Sequence, residues 1–306
     1  MTGRQPINRR RFLTISACAL AASRPARAVT IAWRGTALGA LASIRLGGSG
    51  QGEAQATFAA VEAELSRLED VFSLYRAGSA ITLLNRTGRL EQPPADLVEV
   101  LDLSGRLHAA TGGAFDPTVQ PLWQHFAAGS DAGEESAAAA FGHVGWSGLH
   151  YSADAVVFER PGMAITLNGI AQGYITDRIS ALLRSRGFAH VLIDAGEIAA
   201  LGRNSHMPWE VAVADPQGIV VQRLTLRDRC IATSSPMATT LAADGQVGHI
   251  LDPRPGRTGP VRRLVAVSAD SAAVADGLST ACCLLRRVEA KTAVARFDGA
   301  RIETVI

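Results

Sequence analysis

Between Glu53 and Phe72 the apolar residues Phe58, Val61, Leu65 and Leu68 recur at helical spacing, which predicts an amphipathic helix. The stretch 94–110 reads the same way, with Pro94 in its first turn and Gly112-Gly113 to stop it. A third helix is predicted over 171–186, closed by Gly187. Gly129–Ala140, rich in Ala, Gly and acid, reads as a short surface helix. Strand patterns lie between these segments. Trp33–Leu46 predicts an opening strand or hairpin, and Val156–Thr166 strands around a turn at Pro161-Gly162. His190–Asp194 predicts a buried strand, with short strands following at Trp209–Ala214, Val220–Leu226 and Arg229–Thr233. Val261–Ser268 predicts another strand, leading into a helix capped by Ser268 or Ser271 and running to about Leu285. A last helix and strand close the chain. Strict βαβ alternation is missing, so the pattern predicts an α+β layered fold rather than a doubly wound sheet.

Composition narrows the function classes. The chain has 306 residues, 47% of them hydrophobic and 19% charged, enough for one large or two small domains with a real core. The formal charge of +2 hides an asymmetry: residues 1–28 hold six Arg and no acid, which leaves the remainder at −4. A mildly acidic body argues against nucleic acid as a partner. The only lysine is Lys291, so Schiff-base and P-loop chemistry have little to work with.

That basic start reads as an export leader. Arg9, Arg10, Arg11, Phe12 and Leu13 resemble a twin-arginine signal, an apolar stretch runs from Phe12 to Ala22, and Ala26-Arg27-Ala28 offers a cleavage site. The expectation is a leader over 1–28, recognised by the twin-arginine translocation machinery, and one domain over 29–306 in the periplasm. A lipoprotein anchor at Cys18, in Ile15-Ser16-Ala17-Cys18, is the second reading. Cys230, Cys282 and Cys283 then remain, without a CxxC pair, and the adjacent two are expected packed in a helix.

Four clusters can carry chemistry. In Thr111–Leu122, TGGAFDPTVQPL, two glycines let the backbone approach a ligand, and Pro117 holds Asp116 extended. In Leu167–Asp177, LNGIAQGYITD, a strand turns through small residues into a helix, which aims amides and the positive helix end at an anion. In His249–Gly256, HILDPRPG, a histidine precedes an Asp-Pro turn, where it can serve as a base. In Ala275–Ala281, ADGLSTA, Asp276 and Thr280 share a helix face and offer hard oxygen ligands, suited to Mg²⁺ rather than Zn²⁺. Each cluster alone also fits a turn, a cap or a solvated face.

In this order and spacing the four clusters resemble the flavin transferase family known as ApbE, FAD:protein FMN transferase. Phe72–Asn85, FSLYRAGSAITLLN, and His190–Gly202, HVLIDAGEIAALG, extend the likeness. The resemblance implies an α+β, T-fold-like architecture with a mainly antiparallel sheet. It implies an enzyme that uses Mg²⁺ to split FAD, attaches FMN through its phosphate to a Thr or Ser hydroxyl of an acceptor flavoprotein, and releases AMP. Carried over by residue, Tyr75, Ala114, Phe115, Asp116, Thr166, Gln172, Ile250 and Leu251 would contact FAD. Asp276, the Thr280 hydroxyl and a carbonyl at Gly169 would hold the metal, and His249 would take the proton from the incoming hydroxyl. Thr166 and Gln172 depart from the family, where Asp and then Lys or Glu are common. The LNGIAQGY form with its leader is similar to the accessory flavin transferase of nitrous oxide respiration. Two further readings fit the same residues: FAD hydrolysis to FMN and AMP, or a non-catalytic periplasmic flavin-binding protein.

Overall fold

The computed structural model describes residues 19–20, 30–47, 51–129, 134–204, 206–241, 245–257 and 259–306. The leader reading falls outside these residues except at 19–20. Strands β1 (Ala19–Leu20), β2 (Thr30–Ala37) and β3 (Ala40–Gly47) come first, then helices α1 (Gln51–Phe72) and α2 (Ala80–Thr87). They are followed by β4 (Arg89–Glu91), α3 (Ala95–Ala110), α4 (Gln120–Ala127), α5 (Glu134–Gly142), β5 (Leu149–Tyr151) and β6 (Ala155–Phe158). The second half contains α6 (Ala171–Ser185), β7 (Val191–Asp194), β8 (Ile198–Leu201), β9 (Trp209–Ala214), β10 (Val220–Leu226) and β11 (Arg229–Ser234). It ends with β12 (Val265–Ala269), α7 (Ala272–Cys282), α8 (Arg287–Val294) and β13 (Arg301–Val305).

Seven strands form one antiparallel sheet in the order β13-β12-β11-β8-β7-β3-β2. Two three-stranded sheets, β1-β9-β10 and β4-β6-β5, flank it. The central strands are buried on both faces, and their side chains alternate between two cores. Val191 and Ile193 of β7 join the large helix-side core with Leu68, Leu107, Ile175 and Leu278. Their neighbour Leu192 joins Trp209, Val211 and Ile231 on the other side. This double burial explains why β7 and β8 are almost uninterrupted apolar runs in the sequence. The architecture is the expected α+β one.

Local boundaries differ from expectation in three places. The second strand expected within 156–166 does not form: β6 pairs instead with β4 and β5, and residues 163–167 are not strand. The strand expected from Val261 begins at Val265, because the amides of Val261 and Arg262 bond to the Cys283 carbonyl instead of a neighbouring strand. The helix expected to reach Leu285 ends at Cys282, capped by Ser271 rather than Ser268. Cys282 and Cys283 are buried as free thiols at its end.

Helices α6 and α7 cross in close contact, and this contact positions the site. A Cβ on Gly173 would overlap the Ala272 carbonyl. Asp177 reaches from α6 to the start of α7, accepting from the Ala272 and Ala273 amides at 2.8 and 3.0 Å and from Ser271 Oγ at 2.6 Å. A carboxylate at a helix N-terminus satisfies orphan donors and favours the helix dipole.

Candidate active site

The first cluster leaves α3 through Gly112 (φ 58°) and Gly113 (φ 79°), both in the left-handed region where a side chain is strained. Thr111 Oγ1 accepts the Phe115 amide at 3.0 Å and closes the turn. Asp116 is buried. Its Oδ1 accepts from the Thr118 amide at 2.8 Å and from Thr118 Oγ1 at 2.6 Å, and its Oδ2 from the Trp146 amide at 3.2 Å. Burial raises its pKa, and these donors oppose the rise. Much of its acceptor capacity is therefore spent on fixing the loop, with less left for a base or ribose than the resemblance implies.

The second cluster is tied to the first, since the Thr166 amide donates to the Pro117 carbonyl at 2.8 Å. Gly169 then faces α7: a Cβ there would lie 3.2 Å from both Oγ1 and Cγ2 of Thr280. Four residues on, the Gly173 amide donates to Asp276 Oδ2 at 3.2 Å. Gln172 crosses to the β7–β8 turn, where a Cβ on Gly196 (φ 98°) would meet its amide nitrogen at 2.6 Å.

His249 also lines this space, with Nδ1 3.3 Å from the Thr239 carbonyl. Burial lowers its pKa below the ordinary 6.5, partly offset by the Thr239 and Pro236 carbonyls. The ring is thus neutral at pH 7; a proton on Nδ1 bonded to Thr239 leaves Nε2 as the acceptor. Asp252 of the same cluster is structural. Arg254 binds it through two nitrogens at 2.8 and 2.6 Å and donates to the Leu284 carbonyl at 2.9 Å, which anchors the loop.

These segments enclose one cleft. It is lined by Ala114, Phe115, Asp116, Thr166, Gly169, Gln172, His249, Ile250, Leu251, Asp276 and Thr280 from the sequence-derived set. Tyr75 is the exception: it lies on the loop after α1, 49% exposed and outside the cleft lining. The interior volume is about 100 Å³. Pockets that bury a whole drug-sized ligand run to roughly 300–1,000 Å³, so this slot takes part of a ligand and leaves the rest along its mouth.

The site residues carried over from the family omit Glu197, Thr233, Ser234 and Trp123, which also line the cleft. Glu197 had a readable signal, as one of two acids, with Asp194, at the turn between the apolar runs of β7 and β8. It is buried, and burial followed by the Asp276 charge pushes its pKa well up. Asp276 itself is pushed up to about 7 by burial and by the Asp177 charge, against the Gly173 amide. Thr233 Oγ1 is buried without a hydrogen-bond partner among the described residues. Thr280 Oγ1 lies 3.2 Å from Ser234 Oγ.

The donor set fits a hard cation. Asp276 and Thr280 offer oxygens, beside crowded acids that lack a cationic counterpart in the cleft. Among the described residues no group of three or more His, Cys, Asp or Glu could hold a metal by itself. A cation here would depend on main-chain and ligand oxygens, as Mg²⁺ does when one or two carboxylates and substrate phosphates bind it.

The ApbE family model matches residues 38–304. The FAD:protein FMN transferase of Klebsiella pneumoniae is 26% identical over 293 residues, covering 89% of this chain and 83% of that protein. The Vibrio cholerae protein of that name is 29% identical over 233 residues, covering 71% of this chain and 69% of its own length. Among solved structures, the Pseudomonas stutzeri flavinyl transferase ApbE in its apo form superposes with a TM-score of 0.77 at 26% identity, covering 88% of this chain and 89% of that one. The Vibrio cholerae flavin transferase ApbE reaches 0.79 at 24% identity over 90% of this chain and 93% of its own, a likeness of fold.

Proposed function

The chain belongs to the ApbE family, and from that premise we propose that it transfers FMN from FAD to a Thr or Ser hydroxyl of an acceptor flavoprotein. In the reaction the acceptor oxygen bonds to the FMN phosphorus, the bond to the AMP oxygen breaks, and AMP leaves with the electron pair. The observation that carries this reading is that Gly169, Asp276 and Thr280 line the same slot as His249, with Gly169 packed against Thr280.

The slot suits the pyrophosphate of FAD, with Ala114, Phe115, Ile250 and Leu251 packing beside the ligand. Asp276, Thr280 and the Gly169 carbonyl would hold Mg²⁺, which when bound offsets the charge growing on the phosphoryl oxygens. Neutral His249 takes the proton of the incoming hydroxyl at Nε2, a contribution of roughly 10²–10⁴-fold for a well-placed base. Asp116 holds the glycine loop through Thr118 and Trp146, and Gln172 supports the β7–β8 turn. The twin-arginine pattern of residues 9–13 supports action in the periplasm, on an exported or membrane-bound flavoprotein. The subgroup likeness points to nitrous oxide respiration as its setting.

The test is to incubate the protein with FAD, Mg²⁺ and a flavoprotein acceptor bearing the target threonine, and to weigh the acceptor. A gain of FMN less one water is expected. AMP release without an acceptor would indicate hydrolysis instead, and FAD left intact would indicate a binding protein.

A further inference from the structure

The C-terminal part of the chain carries a charge that the rest does not. Residues 254–306 hold nine Lys and Arg against five Asp and Glu, whereas residues 29–253 hold fifteen against twenty-three. Four of those cations, Arg262, Arg287, Lys291 and Arg301, line one groove of about 700 Å³ between α8 and β13. Among the described residues no Asp or Glu pairs with any of the four. The single acid in the lining, Glu303, accepts from Ser268 Oγ at 2.5 Å, and one acid against the four cations leaves the groove strongly positive.

The floor between the cations is apolar, with Val294 buried and Ile302 half-buried. Aliphatic side chains continue onto nearby surface, where Val288 is 76% and Val305 45% exposed. Like charges left unpaired around apolar surface gain nothing for the isolated fold, and they favour a partner of opposite sign. β13 is also the last strand of the seven-stranded sheet, so its outer edge offers peptide groups to an extended chain. The surface is a groove, which admits a polypeptide segment better than it meets a flat bilayer. It also adjoins the cleft: the Val261 and Arg262 amides bond to the Cys283 carbonyl, one residue before the cleft-lining Leu284.

We propose that this groove docks an acidic, extended segment of the acceptor protein that receives the flavin. The inference rests on the transferase reading, because only a transferase needs a protein as second substrate. Docking beside the cleft raises the local concentration of the acceptor hydroxyl without using any residue of the reaction itself.

The test uses the full chain and two short fluorescent peptides, one alternating Glu with Val and the other Gln with Val, read by anisotropy. The Glu peptide is expected to bind, to weaken as salt rises, and to lose at least about tenfold in affinity with Arg287→Glu/Lys291→Glu. Arg287→Gln/Lys291→Gln should fall between. FAD binding, read by flavin fluorescence, should be unchanged in both variants, which shows that the fold and cleft are intact. Equal binding of the two peptides, or an affinity untouched by charge reversal, overturns the proposal. So does binding to phosphatidylglycerol vesicles with no binding to the Glu peptide, which would make the face a membrane contact. Failure of the transferase reading appears separately, as FAD left intact by the wild-type protein with Mg²⁺ and acceptor.

Discussion

Gly169 and Thr280 stand so close that a single methyl group on the glycine would reach 3.2 Å from the threonine hydroxyl oxygen. Gly169 is not among the positive-φ glycines, so alanine there strains the site through Thr280 rather than through the backbone. Gly169→Ala should therefore raise the Mg²⁺ concentration needed for FAD cleavage by roughly 10–100-fold. Thermal unfolding should place its stability within about 1 kcal/mol of wild type.

Asp276 gives a stability prediction whose sign depends on metal. The folded carboxyl holds its proton up to about 7, while the unfolded one titrates near 3.8. Its stabilising contribution is complete below the unfolded value and is lost as pH rises through about 7. Without Mg²⁺ at pH 8, Asp276→Asn should therefore be more stable than wild type, by about 1–3 kcal/mol. Adding Mg²⁺ should stabilise wild type alone and reverse the order, measured as melting temperature.

Asp276 and His249 together shape the pH–rate profile. At low Mg²⁺ the acid limb of FAD cleavage should fall near pH 7, because protons compete with the cation for Asp276. Saturating Mg²⁺ should move that limb down until His249, whose pKa lies below 6.5, sets it. His249→Ala should lower kcat by roughly 10²–10⁴-fold and leave FAD binding intact. A limb indifferent to Mg²⁺ would separate Asp276 from the metal.

Gly173 tests the scaffold rather than the chemistry. Its Cβ would overlap the Ala272 carbonyl, and α6 and α7 would have to part. Gly173→Ala should cost about 1–3 kcal/mol in chemical unfolding and weaken Mg²⁺ dependence together with stability.

Much of this was readable from the chain. Phe58, Val61, Leu65 and Leu68 specify α1 by spacing alone, and the glycines at 112 and 113 mark a turn that only positive φ can make. The contact of α6 with α7 came from the resemblance, since nothing local in LNGIAQGY or ADGLSTA says that they meet. α2 escaped notice because its eight residues follow a loop-like start, although Ser79 caps it and Gly88 ends it in the left-handed region. β8 was hidden for the opposite reason: buried on both faces, it lacks the alternation that marks a strand. Tyr75 was carried over by motif, and its place outside the cleft follows from a loop whose path no periodicity encodes.

On the proposed reading Gly169, Asp276 and Thr280 would hold a divalent cation beside FAD. An anomalous difference map from crystals grown with Mn²⁺ and FAD tests it most directly. A peak between the Asp276 carboxylate, Thr280 Oγ1 and the Gly169 carbonyl is expected. FAD bound in the cleft with no peak between those three atoms would contradict it.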